Sequence, residues 1–170
     1  KLNFSPFHIL AGGYHDLLKE RATNEELFGL PLPPGVIQDA LTELRVGEVT
    51  ILGGYEGCGK SAIAQQIAFY IAQEFLIYAK KESKKEQKLE SKKKKKAVLL
   101  CSLEMGQDQI LARALAQYSR MDYSSLLSPR KMLKNEWKPL ADSCAKIQEW
   151  PILISDEARL TTTNIRDMIT

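Results

Sequence analysis

The chain has 170 residues, 44% of them hydrophobic and 26% charged, which is enough apolar material for one domain with a buried core. Its net charge of +3 is a local effect: of 24 Lys and Arg and 21 Asp and Glu, ten lysines and three glutamates lie in residues 80–96, leaving 14 basic against 18 acidic residues elsewhere, a net of −4. No apolar run reaches the roughly eighteen residues of a membrane span, and no basic segment leads into an apolar stretch at the N-terminus, so no membrane partner is expected and a soluble, cytoplasmic protein is.

In chain order, residues 1–33 read as a linker holding one short docking helix, "YHDLLKERATNEELFGL" at 14–30, ahead of Pro31, Pro33 and Pro34. Residues 34–170 read as one α/β unit. "EVTILGG" at 48–54 is a short β-rich run, as in a strand buried on both faces of a parallel sheet. "KSAIAQQIAFYIAQEFLIYAK" at 60–80 is apolar on nearly every face and long enough to be a helix, which predicts that it is largely buried. The lysine run at 80–96 either lengthens that helix or forms a loop; without interleaved aromatics it reads as a solvated stretch, with phosphate-backbone binding as the lesser alternative.

"AVLLCSL" at 97–103 predicts a second strand and "GQDQILARALAQYSR" at 106–120 a second helix. A third helix is expected over Met132–Trp150, disturbed by Pro139, followed by the strand "PILISD" at 151–156 and the helix "TTTNIRDMI" at 161–169 behind a threonine cap. This alternation predicts a parallel sheet flanked by helices, with ligands bound outside the carboxyl ends of its strands. Cys58, Cys101 and Cys144 form no C-x-x-C pair and have no neighbouring histidine, so neither a disulfide framework nor a zinc site is expected. His8 and His15 read as incidental.

The most informative stretch is "GGYEGCGKS" at 53–61, where Gly54, Gly59, Lys60 and Ser61 satisfy G-x-x-x-x-G-K-[ST] between an expected strand and an expected helix. Glycines let the backbone wrap a phosphate with its N–H groups, and the positive end of the following helix adds to the attraction. The expected nucleotide-binding set is therefore Gly54, Tyr55, Glu56, Gly57, Cys58, Gly59, Lys60 and Ser61. Lys60 is expected to reach the β- and γ-phosphates, and Ser61 to offer its hydroxyl to Mg²⁺. Glu56 would repel a triphosphate, so its side chain is expected to point outward, and Cys58 reads as a small filler.

Hydrolysis also needs a carboxylate to act on water. Two places compete. "SLEM" puts Glu104 at the end of the second strand, and "ILISDE" puts Asp156 and Glu157 at the end of the third in a Walker B-like pattern. Local pattern slightly favours the second, and acidic residues at helix starts and turns give either an ordinary structural reading.

The succession "LRVGEVTILGGYEGCGKSAIAQQIA", "VLLCSLEMGQDQILARALAQ" and "PILISDEARLTTTNIRDMI" resembles the ATPase domain of DnaB-type replicative DNA helicases, which have the RecA-like P-loop fold, over residues 44–170. "SLEM" followed by a Q-x-x-x-R helix is the most specific piece after the phosphate loop. The resemblance implies ATP and Mg²⁺ as ligands, with Lys60 and Glu104 as the catalytic pair and Glu104 acting on water. It also implies that "PILISD" is not the Walker B strand, whose aspartate would arrive one helix later, beyond Thr170, together with the single-stranded DNA-binding loops and an arginine finger. A homo-hexameric ring is implied, with primase and a helicase loader as partners and ATP hydrolysis coupled to translocation and unwinding. The helix in "HDLLKERATNEELF" resembles the family's linker that packs on the adjacent subunit, although an ordinary solvated helix fits it equally.

The chain starts at Lys1 rather than Met and stops at Thr170 inside an expected helix, so an incomplete N-terminal half of the domain, inactive alone, is expected. Two features depart from the family pattern. Glu56 stands where a proline is common, and the usual G-x-P-T-G-F-x-x-L-D leader survives only loosely in "GLPLPPGVIQDAL". The competing class is another RecA-like ATPase, a recombinase, clock-type or loader-like switch that does not unwind DNA.

Overall fold

The computed structural model describes residues 13, 14, 16, 18, 19, 29–35, 41, 43–85 and 96–169. The chain divides into two compact units, Lys1–Ile51 and Leu52–Thr170. In the first, Tyr14, Asp16, Leu18 and Lys19 are helical, and the rest of the expected docking helix before Gly29 lies outside the described residues. Strand β1, Gly29–Pro31, pairs antiparallel with β2, Glu43–Arg45, in the register Gly29↔Arg45, Leu30↔Leu44 and Pro31↔Glu43. This pairing was not expected, because Pro31 and the prolines after it read as breakers; a two-strand ladder has free edges, where a residue without an N–H is tolerated. Gly29 is required there, since a Cβ would collide with the Leu44 carbonyl.

Residues 48–54 correct an expectation. They form no strand, and Val49 and Ile51 are 88% and 87% exposed. A strand persists only when its backbone groups are paired, and among the described residues no strand runs beside this one.

In the second unit, α1 spans Lys60–Lys85, five residues past the expected end, so the first lysines of the basic run continue the helix; residues 86–95 lie outside the described set. Helix α1 packs on strand β3, Val98–Cys101, and on helix α2, Gln107–Ser119. A short helix α3, Tyr123–Leu127, and a 3₁₀ turn, Pro129–Lys131, lead to α4, Trp137–Ile147, then to strand β4, Ile152–Ser155, and helix α5, Thr162–Ile169. Strands β3 and β4 pair in parallel, Val98↔Ile152 through Cys101↔Ser155, as the βαβ reading requires.

Local chemistry explains most boundaries. Asp122 caps α3 by accepting from the Ser124 N–H at 3.2 Å and the Ser124 hydroxyl at 2.7 Å. The threonine cap of α5 is Thr161: its Oγ1 accepts from the Asn164 N–H at 3.2 Å while Asn164 Oδ1 accepts from the Thr161 N–H at 3.0 Å, a reciprocal box. Helix α4 is shorter than expected at both ends. Pro139 lies in its first turn, where its missing N–H costs nothing, and its ring bars extension toward residue 132.

The core is built from Phe69, Ile110 and Ala114, with Leu100, Met105, Ile147, Trp150, Ile152 and Ile154 against them. Trp150 meets Phe69 at a tilt and Tyr118 edge-on, with ring centroids 5.8 and 5.6 Å away. The all-round burial expected of α1 is not found: Ala68, Phe69, Ile71 and Ala72 are buried, but Ile77 and Tyr78 stand about half exposed. Two strands and α2 cover one side of the helix only. At its far end, Lys80 Nζ meets Glu149 Oε2 at 2.6 Å and holds the Glu149 carboxyl below its ordinary range.

Candidate phosphate-binding site

The loop 54–59 delivers the chain into the first turn of α1 through a tight path. Gly59 has φ +91°, a left-handed conformation that side chains resist, and at Gly54 a Cβ would come within 2.7 Å of Cys58 Sγ. Cys58 therefore occupies the space the missing side chain leaves, in keeping with its reading as a filler.

Lys60 turns back over this loop. Its ammonium donates to the carbonyl of Gly54 at 2.9 Å and to that of Tyr55 at 2.6 Å, with Cys58 Sγ 3.9 Å away. The charge is thus held above the loop rather than thrown into solvent. The first N–H groups of α1 have no intrahelical acceptor by geometry, and no acidic residue stands in the first turn to compensate them. A cavity of about 500 Å³ opens at this helix end, lined by Glu56, Gly57, Gly59, Lys60, Ser61, Ala62, Glu104 and Arg113.

Six of the sequence-expected residues, Glu56, Gly57, Gly59, Lys60, Ser61 and Glu104, meet in that one cavity. Gly54, Tyr55 and Cys58 do not line it; Gly54 and Tyr55 act instead through the carbonyls that hold Lys60. Glu56, expected to turn away, is one of the lining residues. Arg113 was part of the Q-x-x-x-R pattern but had no role assigned. It comes from α2, one helix later, and its guanidinium also lies 5.9 Å from the Tyr123 ring centre. Helical spacing offered the signal, since Arg113 interrupts the apolar series of α2, but only the packing of α2 on α1 gives it a direction.

The two competing carboxylates part company here. Glu104 lines the cavity, whereas Asp156 accepts from the Gln107 N–H at 3.2 Å and from Gln107 Nε2 at 2.9 Å, and does not line it. Those two bonds, the side-chain one first, hold the Asp156 carboxyl below its ordinary range. Beside the cavity lies a second hollow of about 280 Å³ that shares Ser61 and Glu104 and reaches Gln65, which is 4% exposed and whose Oε1 has no partner among the described residues.

Residues 35–170 match the family described as the DnaB-like helicase C terminal domain. The chain belongs to that family. It is 27% identical to the replicative DNA helicase DnaB of Nostoc sp. (strain PCC 7120) over 129 residues, 75% of this chain and 12% of the relative. It is 33% identical to the replicative DNA helicase DnaB of Pasteurella multocida (strain Pm70) over 72 residues, 42% of this chain and 15% of the relative. The chain thus spans less than a sixth of the length of these curated relatives. Within the DnaB-like family assignment, the described residues contain no helix long and apolar enough to cross a membrane.

Proposed function

We propose that this chain carries the nucleotide half-site of an ATP-dependent replicative DNA helicase, on a RecA-like P-loop fold of which residues 34–170 are the N-terminal part. The observation that supports this most is the meeting of Lys60, Ser61 and Glu104 in one cavity at the amino end of α1. In this reading the loop and the helix end bind the triphosphate, with Lys60 exchanging a loop carbonyl for a β- or γ-phosphate oxygen. Glu104 orients the attacking water and takes up its proton. Arg113, entering from α2, adds positive charge on the same wall.

Mg²⁺, when bound with the nucleotide, neutralises charge developing on the phosphate oxygens. The donor present suits it: the Ser61 hydroxyl is a hard oxygen group, and the described residues offer no cluster of three His, Cys, Asp or Glu side chains that would cage a metal without the nucleotide. The intact protein is proposed to act as a homo-hexameric ring on single-stranded DNA, with primase and a loader as its partners. The family assignment and the names of the two DnaB relatives support the replicative-helicase part of this reading.

The test uses the intact protein. Lys60→Ala is expected to abolish ATP hydrolysis, and Glu104→Gln to retain nucleotide binding while losing turnover. Release of a labelled strand from forked DNA separates a helicase from a RecA-like switch, and an ATPase with no strand release would displace the helicase reading.

A further inference from the structure

The geometry points to Asp156 as a positioning residue for Glu104, an inference that rests on the reading of Glu104 as the carboxylate acting on water. Glu104 makes no hydrogen bond among the described residues and stands exposed in the turn 102–106 between β3 and α2. Its place over the cavity is therefore set by the backbone of that turn. Both ends of the turn are tied to the end of β4. At the start, the Ser102 N–H donates to the Ser155 carbonyl at 2.8 Å, and inside the turn the Met105 N–H donates to Ser102 Oγ at 3.0 Å.

At the finish, Asp156 grips Gln107 with both oxygens, Oδ2 taking the backbone N–H and Oδ1 the side-chain amide. Gly106 lies in the same contact, since a Cβ there would be 3.8 Å from Asp156 Oδ2. One carboxylate thus fixes both the exit of the turn and the amino end of α2. It bonds no residue of the phosphate loop, so releasing it should move Glu104 without loosening the hold on a nucleotide.

Misplacing a reacting group by about an ångström costs on the order of a hundredfold in rate. Asp156→Ala in the intact protein is expected to lower kcat by roughly ten- to a hundredfold while changing nucleotide affinity by less than about twofold. Asp156→Asn keeps an acceptor for the Gln107 N–H, and Gln107 can turn its amide so that Oε1 meets the new NH₂ group. It should restore kcat to within about threefold of the parent. Gln107→Ala removes one of the two bonds and should cost about threefold in kcat; added to Asp156→Ala it should cost nothing more, because the pair acts as one unit.

Steady-state turnover, equilibrium binding of a fluorescent ATP analogue and thermal melting of these variants form the test. Normal kcat in Asp156→Ala, with turnover lost in Glu104→Gln, overturns the positioning role and leaves the Glu104 reading intact. Normal turnover in Glu104→Gln overturns the reading on which the inference stands. Parallel losses of affinity and kcat in Asp156→Ala, or no rescue by Asn, would make Asp156 a folding residue only. If Asp156→Ala does not fold, Gln107→Ala decides: lower kcat with affinity kept supports the role, and unchanged kcat overturns it.

Discussion

Glu104 and Asp156 stand at comparable heights in the fold, each just past the carboxyl end of one of two strands paired Cys101↔Ser155; the turn 102–106 carries the first and the second is bonded at its exit, yet their own partners differ. Asp156 is held by Gln107, through backbone and side chain together. Glu104 is left with no bond among the described residues and lines the cavity beside Lys60 and Ser61. The difference arises in the turns: β3 is followed by a turn that swings over the mouth of α1, whereas β4 ends beside the start of α2 and is used to hold it. A carboxylate at a strand end is thus defined by which helix start it meets, and only one of these two meets the phosphate loop.

The largest effect that could break this contrast comes from neutralising each carboxylate without changing its shape. Glu104→Gln is expected to lower ATP turnover of the intact protein by about 10²- to 10⁴-fold, the range for losing a positioned general base, against about threefold for Asp156→Asn. Comparable losses in the two variants would erase the distinction between the strand ends.

A smaller effect sharpens it from the other side. Gln65 lies in the hollow that adjoins Glu104 and is 4% exposed, with Oε1 unpartnered among the described residues, so the wall next to the exposed Glu104 holds a buried acceptor that no described protein group satisfies. Gln65→Met keeps the volume and removes the acceptor. It is expected to stabilise the protein by roughly 1–3 kcal/mol in denaturant titration. Destabilisation would mean that Gln65 finds a partner in the intact protein and belongs with Asp156 among the satisfied groups.

What could be read from the sequence follows the same division. Elements fixed by their own residues were legible: the apolar runs of β3 and β4, the periodicity of α2, the Thr161 cap, and the Gly-rich loop that puts Lys60 and Ser61 at a helix start. Which carboxylate lines the cavity was not legible from local pattern, since both follow apolar β-runs; the family resemblance implied Glu104, and the Gln107 contacts give Asp156 its separate occupation. Residues 48–54 carry a strand's composition, but composition supplies no neighbour, and without pairing Val49 and Ile51 remain exposed. The one-sided burial of α1 has the same origin, because apolarity states what a helix would bury and packing decides what is there to bury it.

The smallest expected effect concerns acid. The hydrogen bonds from Gln107 hold the folded Asp156 pKa below that of the unfolded chain, about 3.9 for an ordinary Asp. Its contribution to stability is therefore fully present above that unfolded value and is lost as the pH falls through the lower folded one. Asp122, held down by Ser124, and Glu149, held down by Lys80, behave with the same sign, so acid unfolding of the parent sums all three. Asp156→Asn cannot titrate, and its stability relative to the parent should rise as the pH is lowered from 5 toward about 2. The carboxylate is exposed, so the change should be small and best seen as a difference between two urea midpoints measured at each pH. A constant difference across that range would mean that Gln107 does not favour the ionised form, and the grip on the Glu104 turn would then lack its charge-assisted character.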